Sequence, residues 1–329
     1  MAKYVLKRLL LMLLTFFVIV AICFVLIRIL PRELPIDKVL ATQIQQRWEA
    51  LGYNKPIPVQ FFIYLKNIFT EFDFGTSWYI EYNTPVTEVL GKRLLPTILV
   101  NLYSLLFSIP VGIALGIFAA IKKNKWQDQV ISIVVMLFVS IPSYIYAFLV
   151  QYVLFFKLRI IDTPTLLSIA DVGFNPDAAD AWKAYFTPEM FKSMIMPIIA
   201  LSFGEIAGLC RFTRAELTET LTQDYMLLAR TKGLTRGQAT TRHALKNAMV
   251  PILPMIISSF IGILGGSMII EQIFSIPGVG SLYIKSINLF DYDVFMLDTI
   301  FYVLIGLTAG IVVDISYGFI DPRIRMGAK

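Results

Sequence analysis

Six long apolar runs, separated by polar segments of very unequal length, set the pattern of this chain; they cover roughly 9–30, 98–121, 130–156, 194–212, 250–274 and 297–320. A helix rises about 1.5 Å per residue, so about 20 apolar residues cross a hydrocarbon layer about 30 Å thick. Each run is continuous rather than alternating, which predicts helices and not the strands of a closed barrel. The pattern therefore predicts an all-α polytopic membrane protein with six transmembrane helices.

The first run follows Lys3, Lys7 and Arg8, a flank that also fits a cleaved secretory leader. The apolar stretch continues past Cys23 to Leu30, and bulky Ile22 stands in "VAIC" where a lipoprotein leader wants a small residue, so a retained span is predicted. The polar segment that follows, 31–96, is too long for a plain connector. Within it "IPVQFFIYLKNIFTEF" sets Phe62, Leu65, Phe69 and Phe72 at helical spacing, which predicts an interfacial helix. Its basic and acidic residues balance at seven each. The segment 157–192, containing "NPDAADAW", reads as a polar, flexible loop, and Trp48, Trp78, Trp126 and Trp182 all fall outside the runs, as headgroup anchors do.

Composition agrees with the pattern: 57% hydrophobic and 16% charged residues in 329 is more apolar surface than a soluble core of that length hides. Mean hydropathy is +0.71. With the N-terminus inside, the inner segments hold sixteen Lys and Arg against twelve on outer segments about twice as long, so both termini are predicted to be cytoplasmic. Topology accounts for the pI of 9.1 without a nucleic-acid partner, since no basic stripe with interleaved aromatics is present. Two cysteines, Cys23 and Cys210, and one histidine, His243, provide neither a disulfide framework nor a metal site.

The segment "YMLLARTKGLTRGQATTRHALKNAMVPILP", 225–254, interrupts this greasy pattern with basic and hydroxyl residues, two glycines and several alanines. A helix continuing from the fourth span is predicted to end at Gly233 in a left-handed cap preceded by Arg230 and Lys232. Thr235 and Gln238 have capping-box spacing, so a second helix is predicted over about 236–249, ending before Pro251. Tyr225, Leu228, Ala229 and Lys232 fall on one face, and Ala239, Ala244 and Ala248 keep the second helix slim. One reading is an amphipathic loop resting on headgroups. Small residues at a bend suit a protein cleft better than lipid, which favours bulky side chains.

Acids in apolar runs are candidate pathway residues because they are costly in lipid: Glu205 in the fourth run, Glu271 near the end of the fifth and Asp314 in the sixth. For Glu205 an interhelical hydrogen bond is the competing role, and for Asp314 a structural one. After Glu271, Pro277, Gly278 and Gly280 predict an external turn. The pairs Gly112/Gly116, Gly204/Gly208 and Gly306/Gly310 read as helix-packing faces. His243, with no second histidine, reads as a helix-face residue bonding locally or to a partner rather than as a proton relay. No G-x-x-x-x-G-K-[ST], G-x-S-x-G or H-E-x-x-H motif occurs, so the chain is predicted not to be an enzyme.

Gly233 with Ala229 four residues before it, in an inner loop leading into the penultimate span, resembles the EAA loop of ABC-importer permeases. The string "DYMLLARTKGL…RHALKNAMVPILP", followed by "GGSMIIEQIFSIPGVGSL", "IDPRIR" and the earlier "FDFGTSW" and "KRLLPTI", is similar to the B-type subunit of oligopeptide and dipeptide permeases, from the first span to the C-terminus. That resemblance implies the type I ABC importer permease fold. It further implies that Ala229 and Gly233 are the small and bend positions of a coupling helix docked on a cytoplasmic ATPase, with Arg230, Lys232 and His243 matching the basic positions around them. Leu227 stands where the general motif has glutamate, so docking would rest on shape and on the neighbouring basic residues.

The implied organisation is a first helix with an extracytoplasmic segment (1–96), a five-helix permease core (97–320) whose coupling loop covers about 213–249, and a cytoplasmic tail (321–329). The implied partners are a related second permease, two ATPase subunits that hydrolyse the ATP, an extracytoplasmic peptide-binding protein and the bilayer of a bacterial plasma membrane. No cofactor is expected on this chain. A permease for nickel or another small solute is the alternative within the class. An ion-coupled carrier is the alternative outside it, and six unequal spans with one coupling-like loop argue against that carrier. A third alternative, a non-transporting membrane receptor, would predict that altering Gly233 leaves uptake intact.

Overall fold

The structure, a computed structural model, describes residues 2–30, 38–50 and 52–320. The tail 321–329, with the Arg323, Arg325 and Lys329 expected inside, and residues 31–37 lie outside the described residues, as does the side chain of Lys3. In chain order the elements are α1 (Ala2–Ile29), α2 (Lys38–Ala50), α3 (Ile57–Glu71), β1 (Thr76–Ser77), β2 (Thr84–Pro85), α4 (Val86–Ile121), α5 (Trp126–Ser140) and α6 (Ser143–Gln151). They continue with α7 (Pro188–Thr220), α8 (Asp224–Thr231), α9 (Arg236–Ala239), α10 (Leu245–Gly262), α11 (Met268–Ile273), α12 (Val279–Asn288) and α13 (Tyr292–Ile320). Among the described residues the fold is all-α apart from one two-stranded antiparallel ribbon, in which Thr76 pairs with Pro85.

Among the described residues five helices are long and apolar enough to cross a membrane, and α5 with α6 forms a sixth crossing if the bent pair is one span. The expected straight helix over 130–156 is thus broken, with a 103° bend. Pro142 caps α6 and, having no N–H, ends the preceding ladder; Ile141 before it is extended, as a residue preceding proline prefers. The expected fifth run also divides. After α10 a tight turn, Ile263–Gly265, leads to Gly266 at φ +61, and α11 starts anew. Conversely, Pro251 and Pro254 sit inside α10 rather than ending a helix, and a wide π-turn, Thr240–Ala244, joins α9 to α10. Proline is tolerated here as in other spanning helices, where neighbouring groups re-satisfy the freed carbonyl.

The chain divides into two compact units, one reaching from the N-terminus to Leu95 and resuming over Pro277–Thr308, the other covering Pro96–Ile276 and resuming at Ala309. In the first unit, Val20, Phe24 and Ile27 of α1 pack with Met296 and Ile300 of α13, and α3 lays Phe61, Tyr64 and Ile68 against them. A helix therefore forms over the stretch read as interfacial, and Phe62 and Phe69 point outward at 71% exposure each, on the face away from this cluster. Burial and the nearby Asp293 carboxylate push the Tyr64 phenol up, so it stays neutral. The "FDFGTSW" stretch forms the ribbon's approach, held by Asp291, which accepts from Ser77 Oγ (2.6 Å) and from the Tyr79 and Ile80 N–H groups (3.1 Å each).

In the second unit α7 is the centre, packed on α5, α6 and α10. Of the three glycine pairs only Gly112/Gly116 serves close approach to α7: a Cβ at Gly112 would lie 2.8 Å from Leu209 Cβ, and one at Gly116 2.6 Å from Thr213 Cβ. Gly208, Gly306 and Gly310 face open space among the described residues. Buried Ser104 and Ser202 meet at 3.1 Å between α4 and α7. The 157–192 loop, expected to be flexible, is tied down: Leu166 N–H donates to Phe274 O (2.8 Å), Gln151 Nε2 to Pro164 O (2.7 Å), and Lys192 pairs with Asp162 (2.5 Å).

Candidate functional site

The bend reads from sequence into structure almost residue by residue, with one break added. The helix of the fourth span stops at Thr220, a turn follows, and α8 starts after Gln223, with Asp224 complementing its N-terminal dipole. The expected continuous helix to Gly233 is therefore two helices. Gly233 has φ +87, the left-handed conformation expected of it, and its N–H bonds Arg230 O at 3.0 Å. The Thr235/Gln238 capping box forms in both directions, at 3.3 Å and 3.0 Å.

The alanines face this chain's own interior. Met226 and Ala229 of α8, Ala239, Ala244 and Ala248 form one buried cluster with Ala120 at the end of α4 and Leu217 near the end of α7. Small residues let α8 lie close on α9 and the π-turn. The face expected to hold Tyr225, Leu228, Ala229 and Lys232 together is accordingly split. Ala229 is buried and Tyr225 half-buried, its hydroxyl buried without a hydrogen-bond partner among the described residues, while Leu228 and Lys232 are exposed. Leu227, which sequence reasoning marked only as a departure from a motif, is 67% exposed beside Leu228 at 56%. Arg230, Lys232 and Gly233, which follow this leucine pair in the chain, are exposed, as are Arg242 and His243. Met226 and Ala229 thus join α8 to the ends of α4 and α7 in one close-packed cluster.

A second feature that the sequence reading missed locks α5 to α7. Arg214 donates through Nε and Nη2 to the two oxygens of Asp128, at 2.5 and 2.8 Å, and the Asn124 N–H donates to the same carboxylate at 2.9 Å. The Asp128 side chain is only 3% exposed, so this fork carries more than a surface ion pair does. The signal was legible: an acid in the first turn of an apolar run, and an arginine on the apolar fourth helix.

The candidate pathway acids are engaged within the second unit. Glu205 accepts from Ser259 Oγ at 2.7 Å, the interhelical bond weighed as its competing role. Glu271 is 2% exposed and accepts from Thr97 Oγ1 at 2.9 Å, filling the space where Gly266 lacks a side chain. It staples α11 to α4 across the break. Asp314 is half-buried on α13. The expected external turn is made differently: Ser275 takes the left-handed conformation (φ 51), whereas Pro277 precedes and Gly278 caps α12 with φ −107, and Gly280 lies buried in its first turn. Among the described residues no three His, Cys, Asp or Glu side chains are grouped to hold a metal ion.

Residues 112–326 match the model of the binding-protein-dependent transport system inner membrane component, and residues 1–114 match its N-terminal companion. The chain belongs to that family. It is a multi-pass inner-membrane permease. The permease is 36% identical over 327 residues to the dipeptide transport system permease protein of Lactococcus lactis subsp. cremoris, covering 99% of this chain and 100% of that one. It is 32% identical to the dipeptide transport system permease protein of Bacillus subtilis over the full length of both. It is also 31% identical to the glutathione transport system permease protein of Salmonella typhi, with 99% of each covered.

Proposed function

We propose that this permease is a peptide-translocating subunit of an ATP-driven importer, inserted with both termini in the cytoplasm. It would be paired with a related second permease, two cytoplasmic ATPase subunits and an extracytoplasmic peptide-binding protein. The chain itself has no catalytic role and needs no cofactor; ATP is hydrolysed by its partners. The observation that carries this reading is the α8 cluster: an exposed leucine pair with exposed Arg230 and Lys232 just after it in the chain, backed by an alanine-lined core continuous with the ends of α4 and α7. That is the build of a lever seated in another protein's cleft. Full-length similarity to relatives named for dipeptides and glutathione supports peptides as the cargo class.

Binding in the cleft rests on Leu227 and Leu228, with Arg230, Lys232 and His243 at its rim, rather than on Ala229, which holds the lever to its base. In proteoliposomes containing the complete complex, labelled dipeptide accumulates with ATP and continues to do so after the proton gradient is collapsed. Accumulation driven by the gradient without ATP overturns the reading.

A further inference from the structure

A groove of about 270 Å³ opens between α5 and α7, lined by Ile131, Val135, Met136, Val139, Arg211 and Arg214 among others. Its polarity is graded. The two arginines lie towards the α7 end that adjoins Asp128, two residues after Trp126, which is 70% exposed. Lys122, Lys123 and Lys125 precede that tryptophan. Val135, Met136 and Val139 lie further along α5, and Met136 is 67% exposed. From Ile131 to Ser140 the helix advances about 14 Å, roughly half a hydrocarbon layer.

The charge state of the groove follows from its pairs. Arg214 is taken up by Asp128, whereas Arg211 is exposed and no carboxylate pairs with it among the described residues; its guanidinium carbon lies 5.4 Å from the Phe212 ring. The groove therefore offers one uncompensated cation and an apolar channel lined by Val135, Met136 and Val139. A zwitterionic peptide would need an acid for its ammonium group, and Asp128, the acid at hand, is consumed by Arg214 and the turn. An anionic glycerophospholipid matches both ends: phosphate on Arg211, acyl chain along Val135, Met136 and Val139.

We propose that this groove is a binding site for one anionic phospholipid, which fills the seam between α5 and α7 next to the Asp128–Arg214 lock. That the lipid comes from the cytoplasmic leaflet rests on the orientation proposed above; the site itself does not. The test is native mass spectrometry of the complex purified from phosphatidylcholine nanodiscs with a titrated fraction of phosphatidylglycerol. The expected result is retained phosphatidylglycerol, falling about fivefold for Arg211→Gln and about twenty-five-fold for Arg211→Glu, the size of one and two charges near a membrane surface. Val139→Trp, which fills the apolar channel without touching charge, also lowers retention. Equal retention by wild type and Arg211→Glu overturns the proposal, as does displacement of the lipid by inorganic phosphate. Loss of dipeptide binding in Arg211→Gln with lipid retention unchanged also overturns it. Thiol labelling of Lys123→Cys from each side reads the orientation separately, so a reversed topology is recognised without bearing on the groove.

Discussion

Helices α3 and α8 solve the same problem with opposite outcomes. Both are short, both bury one apolar face in their own unit, and both leave a second apolar face exposed. On α3 the exposed face is aromatic and wide, Phe62 and Phe69 with Phe72 at the cap, which suits the headgroup boundary where large rings settle. On α8 it is two leucines followed closely by Arg230 and Lys232, and the buried side is Met226 and Ala229, set against Ala239, Ala244 and Ala248. Bulky residues on both sides would hold α8 away from its support; the alanines facing Met226 and Ala229 let it come into contact. The difference teaches that the residues mediating contact with a partner need not be the small residues that make the motif recognisable. Those residues set the lever on its base.

The largest expected effect is on that base. Ala239 is fully buried, so Ala239→Leu overpacks the cluster by about 1–3 kcal/mol and displaces α8. Stimulation of ATP hydrolysis by peptide-loaded binding protein is expected to fall more than tenfold while membrane levels stay unchanged; normal stimulation would dissociate the cluster from coupling. Next comes the exposed face: Leu227→Asp is expected to lower the same stimulation about tenfold, whereas Phe69→Asp on α3 leaves it unaltered. If the two substitutions act alike, the contrast between the helices is wrong. Asp128→Asn leaves Arg214 facing a neutral amide, at an expected cost of about 2 kcal/mol read as a lower thermal unfolding midpoint. The double variant Asp128→Asn with Arg214→Met should recover part of it. The smallest effects belong to the local signals. Gly233→Ala strains a left-handed residue and Thr235→Ala removes a cap, each costing about 1 kcal/mol and lowering stimulated hydrolysis less than Leu227→Asp does.

Much of the site was legible because its signals are local. Gly233 and the Thr235/Gln238 box act on backbone groups within four residues of themselves, and each formed as read. The break after Thr220 was missed because Leu217 and Leu221, which turn inward there, look like any helical positions until the cluster they join is known. The same blindness applies to the glycine pairs. Gly112/Gly116 and Gly306/Gly310 have equal spacing, and among the described residues only the former closely approaches another helix.

The sequence by itself determined that the chain is membrane-embedded and helical, where the backbone must bend at Gly233, and which family it resembles. These follow from run length, composition and short-range stereochemistry, which a linear string carries intact. Tertiary structure decided which side of α8 is exposed, that Glu205 and Glu271 hold helices together, that Asp128 and Arg214 find each other across 86 positions, and that the third apolar run is bent by 103°. Those outcomes depend on which surfaces compete for the same neighbour. That competition is settled in space, between residues that are remote in the chain.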